Sequence, residues 1–169
     1  MITYIFSGFN PKEHFGKEVS TFFKEDMKNS KSIVFIPGNF DSPDKVKRYA
    51  LTDIEWFKEI DITLEDINIL DNNMQEDIMK KELTKADIIF IMGGDTQKQN
   101  TFLEKYNLKE TIKTSKGIVI GISAGAINLG IDSLCSKDLD DGVEKTILYK
   151  GIGRIPYTCL LYTSPSPRD

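Results

Sequence analysis

At 169 residues, with 40% apolar and 28% charged residues, the chain is sized for one globular domain with a substantial core. A net charge of −4 gives no basic footprint for nucleic acid or an anionic membrane, and no apolar run approaches membrane-spanning length. No charged-then-apolar leader opens the chain, and its two cysteines, Cys135 and Cys159, offer no disulfide framework, so a reducing cytoplasm is the expected location.

Ile2 to Phe9 is rich in β-branched and aromatic residues and predicts the first strand. Asn10-Pro11 predicts a helix start, with asparagine as N-cap and proline at the first helical position. Ser32 to Pro37 is a second strand pattern, ended by Pro37-Gly38. Ser42-Pro43 repeats the cap-plus-proline signal and opens a helix toward Ile60, with the solvated basic cluster Lys45 to Arg48 on it. Asp66 to Leu70 is a short strand, and Met74 to Lys85 is helical by its spacing of Ile78 and Leu83 among charges. Ala86 to Met92 is a continuous apolar run of the buried-strand kind. Thr96 is the expected cap of a helix to Tyr106, and a short helix follows over Leu108 to Thr114. Gly117 to Ile122 is the strand that leads into Ser123. Asp132 to Asp141 is polar and irregular, Thr146 to Tyr149 is a further strand pattern, and Gly151 to Gly153 is a turn.

Strands alternate with helices almost throughout, and several strands are apolar on both faces. This predicts an α/β fold, a parallel sheet flanked by helices on both faces. Ligands in such sheets bind beyond the carboxyl ends of the strands, and two motifs fall there. Gly121-Ile122-Ser123-Ala124-Gly125-Ala126 places a serine on a tight strand-to-helix turn between glycines, the pattern of a nucleophile elbow. The Ala124 N–H, at the helix start, can then stabilise an oxyanion. Gly93-Gly94-Asp95-Thr96 ends the preceding strand, and either glycine can bring a backbone N–H close to a ligand as a second oxyanion donor.

An unassisted serine hydroxyl is a poor nucleophile and needs a base. The single histidine, His14, lies in the first predicted helix and reads as an ordinary helix residue. Residues 159–169 break the pattern and hold two of the six prolines. The string resembles the in-frame translation of a sequencing adapter, so the natural domain is read as 1–158, incomplete at its C-terminus, with an artefactual tail over 159–169. Missing strands would leave an exposed sheet edge and an aggregation hazard.

Taken together, Ile91-Met92-Gly93-Gly94-Asp95-Thr96 and Gly121 to Ala126 resemble the dipeptidase E and cyanophycinase-like serine peptidases. The resemblance implies a flavodoxin-like arrangement similar to class I glutamine amidotransferases, and hydrolysis of small peptides without metal or organic cofactor. It implies Ser123 as nucleophile, Ala124 with Gly93 or Gly94 as oxyanion donors, and Asp138 as a functional carboxylate, with Asp132 as the alternative. Gly151 to Tyr157 is similar to the segment before the family's histidine, and Tyr162 stands close to where that histidine would fall. The resemblance therefore implies that this chain is an inactive form of a peptidase.

Two other classes remain open on the residues alone: an esterase-like α/β-hydrolase, and a non-catalytic ligand-binding domain on an amidotransferase-like fold. Dinucleotide and nucleoside-triphosphate binding lack their glycine and lysine signatures, and no Cys/His spacing indicates a metal site. A small peptide is the expected partner, and the oligomeric state is left open.

Overall fold

Isoleucine, valine and phenylalanine dominate the strands of the computed structural model, which describes residues 1–135 and 145–159. The elements run β1 (Thr3–Phe6), α1 (Gly16–Asp26), β2 (Ser32–Gly38), α2 (Pro43–Glu59), β3 (Asp66–Ile69), α3 (Glu76–Lys85) and β4 (Ile88–Gly94). They continue with α4 (Thr96–Lys105), α5 (Lys109–Thr114), β5 (Ile118–Ile122), α6 (Ala124–Asn128), β6 (Asp132–Cys135) and β7 (Ile147–Lys150).

Five strands form one parallel sheet in the order β1-β5-β4-β2-β3. Because alternate side chains of a strand point to opposite faces, each central strand feeds two cores. Ile33, Phe35, Ile88, Phe90 and Ile120 face a core closed by Phe23 of α1 and by Ile54 and Phe57 of α2. Val34, Ile36, Ile89, Ile91 and Val119 face the other, closed by Met79 and Leu83 of α3, Phe102 and Leu103 of α4, and Ile112 of α5. The sheet is thus covered on both faces, as the alternation of elements requires.

The winding direction reverses beside β2. The β2-α2-β3 unit moves outward to the sheet edge, and α3 returns the chain to β4 on the other side of β2, so right-handed crossovers place α2 and α3 on opposite faces. That reversal opens a crevice at the carboxyl ends of β2 and β4, at Gly38, Gly93 and Gly94.

Three expectations need correction. Asn10-Pro11 does not start a helix. Asn10 Oδ1 accepts from Lys12 N at 2.9 Å and Asn10 O accepts from His14 N at 2.8 Å, which closes a turn. His14 and Gly16 then take positive φ of 53° and 66°, a left-handed step no right-handed helix can contain, so α1 begins only at Gly16. Thr96 does not cap α4: Asp95 does, its Oδ1 accepting from Lys98 N at 2.9 Å. The polar stretch after Gly130 is not irregular throughout, because Asp132–Cys135 pairs antiparallel with Ile147–Lys150 as a separate two-stranded sheet. Among the described residues no helix is long and apolar enough to cross a membrane.

Candidate active site

The turn from β5 into α6 holds Ser123 in a strained backbone conformation, φ 51° and ψ −112°. Left-handed φ is rare for a residue with a side chain and persists only where surroundings enforce it. Here the Ser123 N–H completes the β1 ladder by donating to Phe6 O at 2.9 Å, and its carbonyl accepts from Ile127 N at 3.1 Å. Close approach does the rest: a Cβ on Gly125 would lie 2.2 Å from Ile91 O, so α6 can lie against β4 only with glycine there. Ser123 is half-buried, and its Oγ makes no hydrogen bond among the described residues. The Ala124 N–H, at the first position of α6, has no acceptor within its own helix.

Gly93 stands opposite. A Cβ built on it would sit 3.4 Å from Ser123 Cβ and 4.0 Å from Ser123 Oγ, so the glycine keeps the space before the hydroxyl clear. Gly94 turns away, at φ 138°, with its Cα side 2.8 Å from the Gly38 backbone were a Cβ present. The structure therefore brings Gly93, Ser123 and Ala124 together and packs Gly94 against β2.

A buried polar network, which the sequence motifs did not indicate, ties these two turns to each other. Gln99 of α4 donates through Nε2 to Met92 O at 2.9 Å, next to Gly93, and accepts at Oε1 from Asn128 Nδ2 of α6 at 2.9 Å. Asn128 Nδ2 also donates to Thr96 O at 3.1 Å, and its Oδ1 accepts from Ser133 Oγ at 3.1 Å. Gln99, Asn128 and Ser133 are fully buried. Polar residues on an otherwise apolar helix face were the available signal, since such groups stay buried only when paired.

The remaining expected residues lie elsewhere. Asp132 accepts from Lys150 Nζ at 2.7 Å, a cross-strand ion pair between β6 and β7. Asp138 and Tyr162 lie outside the described residues. His14 Nδ1 is 2.6 Å from Glu59 Oε2, and its ring stacks on Trp56 with centroids 4.8 Å apart. No hydrogen bond joins His14 to Ser123. Among the described residues no group of three or more His, Cys, Asp or Glu side chains is arranged to hold a metal ion.

Two cavities meet at Gly93. One, of about 290 Å³, lies over Gly38, Lys45, Tyr49 and Gly94. The other, of about 440 Å³, runs between α2 and the strand ends, lined by Phe9, Tyr49, Asp53, Trp56 and Phe90, and reaches Gly93 and Ile122. Burial pushes the Asp53 carboxyl up to about 7, and the side chain has neither a hydrogen bond nor an ion pair among the described residues. Tyr49, Asp53 and Trp56 follow one another at helical spacing beside the buried stripe of Ala50, Ile54 and Phe57. That spacing was present in the sequence, but nothing local says which neighbour the stripe meets.

The sequence model of peptidase family S51 matches residues 4–159. No curated protein matches the chain. Among solved structures, a protein of Listeria monocytogenes EGD-e assigned as a peptidase E superposes with a TM-score of 0.67 at 20% identity, covering 94% of this chain and 77% of its own. A peptidase from an acI-B1 Actinobacterium superposes with a TM-score of 0.64 at 15% identity, covering 91% of this chain and 64% of its own. At those identities the likeness speaks for the fold.

Proposed function

The chain belongs to peptidase family S51, and from that premise we propose that it is built for serine-type hydrolysis of small peptides through an acyl-enzyme on Ser123. The observation that carries the proposal is the strained serine turn facing Gly93 across an open cleft. Ser123 Oγ attacks the scissile carbonyl carbon, and the carbonyl π electrons move onto oxygen. The N–H groups of Ala124 and Gly93 receive that oxyanion, each worth roughly 3 kcal/mol in the transition state. The intermediate collapses with cleavage of the C–N bond. The proton lost by Ser123 passes through a base to the leaving amine, and water then releases the acyl group by the same route.

The base is the weak point of this chain. Its single histidine is engaged with Glu59 and Trp56. The chain alone is therefore expected to turn over peptides only at the residual rate that an oxyanion site and binding sustain. The unpartnered Ser123 hydroxyl favours a second reading, a ligand-binding domain that uses the same cleft without chemistry. The free cysteine Cys135 fits a reducing compartment.

Chemical rescue separates the two readings. Imidazole in the buffer can stand in for a histidine base. Hydrolysis of dipeptide p-nitroanilides is expected to rise with imidazole concentration in the wild-type chain and to stay at the buffer rate in Ser123→Ala. Equal imidazole-dependent rates in both would leave the binding domain as the function.

A further inference from the structure

The cavity between α2 and the sheet is mostly apolar; of its polar lining residues, Thr52 spends its hydroxyl on Arg48 O at 3.0 Å, whereas Asp53 has no partner among the described residues. Aromatic side chains, Phe9, Tyr49, Trp56 and Phe90, form most of its wall, and Asp53 is the carboxylate among them. The rings of Phe9, Trp56 and Phe90 belong to a continuous aromatic cluster joined through Phe15 and Phe57, and Tyr49 stands at its exposed edge. Phe9 meets Trp56 edge-on at 6.2 Å, and Phe15 meets both, so the wall is held rigid from behind.

A carboxyl in such surroundings is unfavourable when ionised, unless a cation accompanies it. The described residues supply none. Lys45, outside the lining, places its ammonium over the Tyr49 ring at 5.8 Å from the centroid. His14 lies behind Trp56 and is satisfied by Glu59. Aromatic faces attract cations through their quadrupoles, and the effect grows where water is excluded. A volume of about 440 Å³ admits a small organic group.

We propose that this cavity is a subsite for an organic ammonium group carried by the peptide, with Asp53 as its counter-ion and the aromatic wall as its cage. The assignment of the occupant to a peptide rests on the reading of Ser123 given above. The cavity reaches Gly93 and Ile122, so a peptide seated there presents its next carbonyl toward Ser123. The ammonium is either the free α-amino terminus or a basic side chain, and both present the same charge on an apolar stem.

Trp56 is the sole tryptophan, so its fluorescence reports occupancy of the cavity directly and without any chemistry at Ser123. At pH 8, 2-phenylethylammonium is expected to change that fluorescence saturably in wild type and in Ser123→Ala alike. Asp53→Asn should weaken this binding at least tenfold, while neutral 2-phenylethanol binds both proteins equally. Circular dichroism of Asp53→Asn verifies that the variant is folded. Competition by glycyl-phenylalanine amide against its N-acetylated form, and by N-acetyl-lysine amide against N-acetyl-norleucine amide, distinguishes the two sources of the ammonium. Equal ammonium affinity in wild type and Asp53→Asn would overturn the proposal, as would tighter binding of 3-phenylpropionate than of the ammonium. The reading of Ser123 fails separately, if turnover is the same in Ser123→Ala while the fluorescence titration stands.

Discussion

Ser123 and Asp53 are both held in states that folding alone would avoid. Ser123 keeps a left-handed backbone, and Asp53 keeps a carboxyl in an apolar cavity. The serine was legible because glycines on either side and an apolar strand before it form a pattern with a mechanical meaning. Asp53 was not, because a single aspartate on an amphipathic helix looks like any solvated residue until the facing wall is known. Its carboxyl, pushed up to about 7 by burial, has a consequence for stability. The raised group stays protonated in the folded chain while the unfolded chain ionises near pH 4, so its contribution is full below that pH and is lost as pH rises through about 7. Asp53→Asn is therefore expected to be more stable than wild type above pH 8 by about 2 kcal/mol, discounted for partial solvent contact, with the difference vanishing toward pH 3. Urea titrations across that range check it. His14, Glu59, Lys45 and Tyr49 around the cavity are common to both proteins and cancel in the difference.

At the scale of elements, the site depends on α4 and α6 holding two turns in register. Gln99 and Asn128 do this from inside the core, through the Met92 carbonyl on one side and α6 on the other. Removing Asn128 leaves Gln99, Ser133 and the Thr96 carbonyl short of partners at once. Asn128→Ala is expected to cost about 3 kcal/mol in a urea titration, and to add little when Gln99→Ala is already present. Full additivity of the two would show that the network does not act as a unit. Helices with strong amphipathic periods, α2 above all, were legible to within a residue or two. The first helix was misplaced because cap chemistry at Asn10-Pro11 closes a turn instead, with His14 and Gly16 left-handed. The β6 strand was missed because it is short, with only Leu134 and Cys135 apolar, and because a polar stretch separates it from its partner β7.

At the scale of the whole molecule, alternation of apolar strands with helices specified a parallel sheet covered on both sides, and the two separate cores follow from strand residues alternating between faces. The strand order was not legible, since pairing of β2 with β4 and of β1 with β5 is a long-range choice that no local segment carries. Yet that order creates the crevice at Gly38, Gly93 and Gly94, and with it the meeting of Gly93 and Ser123 that defines the site. The most direct test of the account is whether Ser123 forms a covalent bond as a nucleophile. Incubate the folded chain with an uncharged fluorophosphonate and imidazole, digest it, and locate the adduct by mass spectrometry. A nucleophilic Ser123 yields a phosphonyl group on the peptide containing it, formed faster than on any other serine and not formed when the chain is unfolded in urea. Labelling that spares Ser123, or that falls evenly on all serines, would contradict it.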